Sequence, residues 1–350
     1  MSISPVAPWM DGDPSPRLIV HLFPGQGDFS VSPLVRAARS HQPVRKAIAE
    51  VFEQADEVGG EFGIAPLAKA LLSDSPPSGR DLAAACVGTP QLALFCSSVA
   101  IHRALCEIGL APDQVIGVSF GEIAALTAAG VFPVADGARI ACLLARQLAH
   151  CAGGMMLVGA GESRTRALLY EARLPDLALA CVNDPGETVL SGPLPALRAV
   201  EERARRQGLP ATRLRLPFSS HHPALTGPAE AFAASIRQIP ARPPCVPVVS
   251  AVHGGTYRHD DDIHRALANC LVRPAHLPKV LHQLTTGRTA LLFEAGTGCS
   301  LTRNAQHTLP PAAALAYAPL ADPGFPWPHA DAPTTPRSGN SPFLSRGGPE

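Results

Sequence analysis

A serine stands between two glycines in Gly117-Val118-Ser119-Phe120-Gly121, where the apolar strand pattern Gln114-Val115-Ile116 gives way to a helical one, Glu122-Ile123-Ala124-Ala125-Leu126. Glycine on both sides permits a strained strand-to-helix turn and a close approach of neighbouring chain. Such a turn pushes the serine hydroxyl out of the sheet, beside the amides that open the helix. Those amides lack intrahelical partners and carry partial positive charge, so they suit an oxyanion forming on a bound carbonyl. Ser119 is therefore a candidate nucleophile. Its hydroxyl needs a nearby base to take the proton. Read alone, G-x-S-x-G also fits an ordinary turn in an Ala/Gly/Ser-rich chain.

The elements that must position this serine follow from the hydrophobic pattern. Leu18-Ile19-Val20-His21-Leu22-Phe23 has the continuous apolar character of a buried strand and runs into the turn Pro24-Gly25-Gln26-Gly27. A long helix is expected between Asp81 and Leu110, with Gln91 a polar residue on an apolar stretch: satisfied at the surface, or facing the Ser119 turn. Strand and helix patterns from Met155 to Leu216 alternate as β-α-β-β-α-β, the signature of a ferredoxin-like unit inserted in the chain. Further strands are expected at Val246–Ser250 and Ala290–Glu294. The fold class is thus α/β, with a parallel-sheet catalytic subdomain over 18–150 and 217–320 and a ferredoxin-like α+β subdomain over 151–216. Residues 1–17 read as a flexible lead-in. The Pro-, Gly-, Ser- and Thr-rich tail 321–350 has little to bury and is expected to be disordered.

Composition narrows the function classes. Charged residues make up 17% of the 350, the formal net charge is zero, and no basic block is present, so the electrostatic footprint of a nucleic-acid binder is missing. No apolar run reaches the ~20 residues of a membrane-spanning helix, and no signal-peptide pattern opens the chain. Nine scattered cysteines without a C-x-x-C pair read as small buried hydrophobes in a reducing compartment. A soluble cytoplasmic protein, acting as a monomer, is expected. The histidine- and aspartate-containing segment 253–264 reads as a solvated loop capping the next helix, and no metal is expected.

Six segments then accumulate in order: Phe23-Pro24-Gly25-Gln26-Gly27, Gln91-Leu92-Ala93-Leu94-Phe95, Gly117 to Glu122, Asn183-Asp184-Pro185 before Val189-Leu190-Ser191-Gly192, Ser220-His221-His222-Pro223-Ala224-Leu225, and Phe293-Glu294-Ala295-Gly296. Together they resemble the malonyl-CoA:acyl carrier protein transacylase family, which includes the acyltransferase domains of polyketide synthases. The resemblance covers roughly 18–319. It implies an α/β-hydrolase-like large subdomain and an acyl-serine ester on Ser119. It implies His221 as general base and acid, with His222 the competitor, and an oxyanion hole from the amides of Gln26 and Phe120. Gln91 and Asn183 would line the substrate site. The histidine would be oriented by a backbone carbonyl, placed at His276. No bound cofactor is implied; CoA or phosphopantetheine thioesters are substrates, and the partner is an acyl carrier protein. An α/β-hydrolase itself would place its histidine near the chain's end, after an acid, which this order does not do.

Two departures matter. Val118 stands where the family usually has histidine. Members that use malonyl groups carry an arginine in the helix after the serine helix; here gapless register puts Leu144 at that place, and Arg146 lies two residues on, about 200° round the helix. A carboxylate buried without a cation costs several kcal/mol, so Leu144 disfavours malonate and Ser220 leaves further room. The expected activity is transfer of an uncharged acyl group to or from an acyl carrier protein, in polyketide or fatty acid biosynthesis. An editing acyl hydrolase of a polyketide pathway, a malonyl-CoA:acyl carrier protein transacylase and a non-catalytic carrier-protein docking module are the alternatives.

Overall fold

The structure, a computed structural model, describes residues 17–27 and 29–327. The first part runs β1 (Leu18–Phe23), α1 (Val31–Ser40), α2 (Gln42–Glu61), α3 (Leu67–Leu71), α4 (Gly79–Ala84), α5 (Thr89–Glu107), β2 (Gln114–Gly117), α6 (Gly121–Ala128) and α7 (Val134–Leu148). An insert follows: β3 (Gly154–Val158), α8 (Glu162–Ala172), β4 (Ala178–Asp184), β5 (Glu187–Gly192), α9 (Leu194–Arg206) and β6 (Ala211–Arg213). The chain then returns through a single 3-10 turn (Pro223–Leu225) to α10 (Thr226–Ile236), β7 (Val248–Ser250), β8 (Gly255–Thr256), α11 (Ile263–Asn269), β9 (Ala275–His276), α12 (Leu277–Leu284), β10 (Ala290–Glu294), α13 (Ser300–Thr308) and β11 (Ala314–Tyr317).

The larger sheet has the order β11-β10-β1-β2-β7-β8, parallel except for the β7–β8 pair. β1 lies in its middle, which explains the uninterrupted apolar run: neither face meets water. Successive connections leave β1 towards β2 on one side, while β10 and β11 fill the other. Ligands of open α/β sheets bind at such a reversal, beyond the carboxyl ends of the strands. There Phe23, Gly117 and Glu294 end their strands.

The insert forms a second sheet, β6-β3-β5-β4-β9. Neighbouring strands of its own four are antiparallel, with α8 and α9 supplying the cross-connections of the expected β-α-β-β-α-β unit. Its ends meet, Ser219 N–H donating to the Cys151 carbonyl at 2.8 Å. The fifth strand, β9, comes from the main body and pairs in parallel with β4. A shared apolar cluster (Val20, Ile116, Met155, Ala180, Val249, Leu281) joins the two sheets, so the insert is fused to the body rather than tethered to it.

Several expectations need correction. The long helix expected between Asp81 and Leu110 is α5, and it starts after Gly88, whose left-handed backbone (φ 100) separates it from α4. The tail boundary at 321 is too early: Phe325 and Trp327 are buried in the main core, and Trp327 Nε1 donates to the Pro319 carbonyl at 3.0 Å. The lead-in, apart from Arg17, and the tail from 328 onward lie outside the described residues. Among the described residues no helix is long and apolar enough to cross a membrane.

The middle strand carries a buried histidine, His21, whose Nε2 lies 2.9 Å from the Leu110 carbonyl and whose Nδ1 lies 2.9 Å from His102 Nδ1. A carbonyl only accepts, so His21 holds its proton on Nε2 and its bare Nδ1 accepts from His102. Burial pushes both rings below their ordinary value, His102 to about 4. A proton added to His21 Nδ1 would set two N–H groups against each other in the core, and one added to His102 would leave a charge buried there.

Two expectations follow for stability. Trp327→Ala and Phe325→Ala should each lower the unfolding free energy by ~3–5 kcal/mol, read from urea midpoints at unchanged slope. For the histidine pair the unfolded chain takes up protons below about pH 6.5, whereas the folded chain refuses them. The stabilisation is complete above that value and drains away as the pH falls towards 4, by about 1.4 kcal/mol per pH unit for each ring. His102→Gln should flatten part of that slope between about pH 6 and 4.5 in urea melts.

Candidate active site

Ser119 sits one residue before the N-cap of α6 with φ 57, one of three described non-glycine residues with a left-handed backbone. The glycines on either side are there for space. A Cβ at Gly121 would fall on the Phe23 carbonyl, and one at Gly117 would come within 2.6 Å of Glu122 Cα. The turn after β1 closes the other flank: a Cβ on Gly25 would lie 3.4 Å from Ser119 Cβ. Val118, just before the serine, is buried in the apolar cluster between the two sheets.

His221 also has a left-handed backbone, φ 55, and its ring is buried. Its Nε2 lies 2.6 Å from Ser119 Oγ, and its Nδ1 lies 2.6 Å from the backbone carbonyl of Arg273. The carbonyl fixes the tautomer, since only an N–H can face it. Nε2 therefore presents a lone pair to the serine hydroxyl, which donates to it. Burial lowers His221 to about 4, partly opposed by the Arg273 carbonyl, so the ring is an unprotonated base at neutral pH. His222 turns away: its Nε2 donates to the Asp176 carbonyl at 3.1 Å and its Nδ1 accepts from Ala224 N–H.

The orienting carbonyl belongs to Arg273 and not to His276. His276 caps α12 instead, its Nδ1 accepting from Lys279 N–H at 3.2 Å, while its Nε2 approaches Glu162 of the insert at 3.4 Å. Only Pro274 and Ala275 lie between them in the sequence.

Gln91, at the start of α5, donates through Nε2 to Gln26 Oε1 at 2.8 Å and so joins the turn beside Ser119. Within the described residues neither the Gln26 nor the Phe120 amide has a hydrogen-bond acceptor. Ser220 is not spare room: its hydroxyl donates to the Cys270 carbonyl at 3.2 Å and its N–H to Ser191 Oγ, fixing the histidine loop. Asn183 donates to Glu187 at 2.8 Å across the β4–β5 hairpin, and no contact among the described residues joins it to Ser119 or His221. Leu144 is buried in the main core with Leu92, Phe95 and Phe120. Arg146 is exposed, its guanidinium 4.2 Å from the centre of the Phe62 ring.

Sequence reasoning missed Glu122, which is fully buried in the first turn of α6 and bonded to Ser250 and Tyr257. A glutamate directly after the motif, three residues past Ser119, was a visible signal. Among the described residues no group of three or more His, Cys, Asp or Glu side chains is arranged to hold a metal; Asp262 caps α11 by accepting from Arg265 N–H.

A serine held on a tautomer-fixed histidine, at the strand ends of a parallel sheet, has the geometry of a nucleophile and its base. The family model described as acyl transferase domain matches residues 21–309, and the chain belongs to that family. It is 32% identical over 305 residues to a phenolphthiocerol synthesis type I polyketide synthase of Mycobacterium marinum, covering 85% of this chain and 14% of that protein. It is 33% identical over 240 residues to an erythronolide synthase of Saccharopolyspora erythraea, covering 67% of this chain and 7% of that one. The malonyl CoA-acyl carrier protein transacylase of Burkholderia pseudomallei superposes with a TM-score of 0.71 at 26% identity, covering 84% of this chain and 98% of that one.

Ser119→Ala should abolish labelling by a fluorophosphonate probe, and His221→Ala should slow it by about 10³-fold or more. His222→Ala should stay within about twofold of the wild type. Pseudo-first-order labelling rates check all three; a severe His222→Ala with a mild His221→Ala would reverse the assignment.

Proposed function

We propose that this chain moves an uncharged acyl group between a CoA or acyl carrier protein thioester and an acyl carrier protein, through an ester on Ser119. The observation that carries this is the 2.6 Å contact of Ser119 Oγ with a bare His221 Nε2. Oγ attacks the thioester carbonyl as its proton passes to Nε2. The oxyanion is received by the Gln26 and Phe120 amides, each such donor being worth ~10²–10³ in rate. The C–S bond breaks, and the proton on His221 leaves with the thiolate. The thiol of a phosphopantetheine arm then attacks the ester, His221 taking its proton and returning it to Ser119. Polyketide or fatty acid biosynthesis is the setting in which such a transfer has a use.

Selectivity follows from α7. Leu144 presents an apolar side chain at the place the family uses for a carboxylate-binding arginine, and Arg146 is engaged on Phe62. A malonyl carboxylate left without its charge-assisted partner would lose ~3–5 kcal/mol, about 10²–10³-fold or more in relative rate. Acetyl or longer groups gain ~0.8 kcal/mol for each methylene buried.

Intact-protein mass spectrometry after incubation with a panel of acyl thioesters reads both points. The wild type should load acetyl, propionyl or longer groups in preference to malonyl, and Leu144→Arg should move the kcat/KM ratio towards malonyl. Release of the acyl group to carrier thiol rather than to water separates transfer from hydrolysis. Efficient malonyl loading by the wild type would overturn the selectivity assignment.

A further inference from the structure

Glu122 is an ionisable group at the elbow for which acyl transfer, as described, has no use. Its side chain crosses Gly117, where a Cβ would lie 2.8 Å from Glu122 Cγ, so glycine at 117 makes way for the glutamate. Beyond Gly117 the carboxylate meets donors from three other segments. Ser250, which pairs with Gly117 across β2 and β7, donates to Oε1 at 2.5 Å. Tyr257 donates to Oε2 at 2.7 Å. The Cys270 thiol also reaches the carboxylate and lies 3.8 Å from the Ser119 carbonyl. Ser250 is itself pinned, its oxygen accepting from Val252 N–H at 3.1 Å and His253 N–H at 2.8 Å.

These partners lead from the nucleophile to its base. On one side Glu122 N–H donates to the Ser119 carbonyl at 2.9 Å. On the other, Cys270 begins the short run whose carbonyls hold the histidine loop. The Cys270 carbonyl accepts from Ser220 Oγ, the Leu271 carbonyl from His222 N–H and the Arg273 carbonyl from His221 Nδ1.

We infer that Glu122 is a positioning residue: its carboxylate clamps the Ser119 elbow to the 270–273 run and so sets the reach from Ser119 Oγ to His221 Nε2. This rests on the acyl-serine function proposed above. An ionised carboxylate accepts from all three neighbours, whereas a protonated one must donate a hydrogen of its own into a ring of donors. The titratable groups around it are Tyr257 and Cys270, both pushed up by burial and then by the Glu122 charge and so neutral. The His253 ring lies beyond, 5.2 Å from the Tyr257 ring. Burial raises Glu122 to about 7, against the pull of Ser250 and Tyr257. The clamp is therefore complete above that value and loosens below it, well separated from His221, which charges near 4.

The test is the pH dependence of fluorophosphonate labelling at Ser119, in the full chain, for wild type, Glu122→Gln and Tyr257→Phe. The wild type should show a break near 7 above the one belonging to His221. Glu122→Gln, an uncharged isostere, should be slowed about tenfold or more at about pH 8.5, lose the break, and lie within about threefold of wild type near pH 5.5. Tyr257→Phe keeps the carboxylate but removes a donor, so its break should move upward. A Glu122→Gln profile that keeps the break, at whatever rate, overturns the clamp, as does an unmoved break in Tyr257→Phe should Glu122→Gln fail to fold. A wild type that does not label at all overturns the acyl-serine function instead.

Discussion

The contact between Ser119 Oγ and His221 Nε2, at 2.6 Å, requires two non-glycine residues to be held with left-handed backbones, at φ 57 and φ 55. Each such conformation costs of order 1–3 kcal/mol and persists only where the surroundings over-determine it. At Ser119 the constraint comes from Val118 N–H on the Phe23 carbonyl at 3.1 Å and from Gly121 fitted against the end of β1. At His221 it comes from Ser219 N–H on Cys151, Ser220 N–H on Ser191 and His222 N–H on Leu271. The bonds that hold the pair thus span both subdomains. The insert is part of the site: Ser191, on its β5, grips the loop that carries the histidine.

How much of this the sequence disclosed depends on the reach of each interaction. The elbow was legible because a strained strand-to-helix turn has a local glycine requirement, written within five residues. The insert was legible because its strands and helices have full-length periodicity. β8 and β9 were not, since a two-residue strand carries no period and exists only through its partner. The orienting carbonyl was misplaced at His276 for a related reason: a backbone carbonyl has no side-chain signature, so its position depends on a turn geometry that residue types do not specify. Ser220 and Asn183 were polar residues in the right neighbourhood, but their partners, Cys270 and Glu187, set their roles. Trp327 lay in a stretch whose average composition had nothing to bury, and one indole stacked on His41 at 5.8 Å outweighed that average.

The choice of a carbonyl over a carboxylate behind His221 has consequences for the proposed chemistry. A carbonyl is a dipole, so the imidazolium formed when Ser119 loses its proton has no full counter-charge beside it in a buried site. Burial therefore pushes His221 down to about 4, only partly opposed by the Arg273 carbonyl. A base so weak holds the proton briefly and gives it up readily. For a thioester this suffices, since a thiolate, unlike an amine, is a good leaving group and needs little acid to depart; a free thiol ionises at about 8.5.

The same scarcity of positive charge bears on what can occupy the acyl pocket. The first turn of α6, just after the elbow, carries Glu122, which is negative above about 7. Its donors, Ser250, Tyr257, Cys270 and the Val252 amide, spread that charge but do not cancel it, because hydroxyls, thiols and amides are dipoles and not cations. An acyl group bearing a carboxylate would add a second negative charge to the low-dielectric region around Ser119, where like charges repel far more strongly than in water. An arginine at position 144 would offset both. Leu144 stands there instead, and the Arg146 guanidinium lies over the Phe62 ring. In the proposed transfer, Leu144 and the Glu122 carboxylate would therefore act in the same direction, against a charged acyl group and in favour of a neutral one.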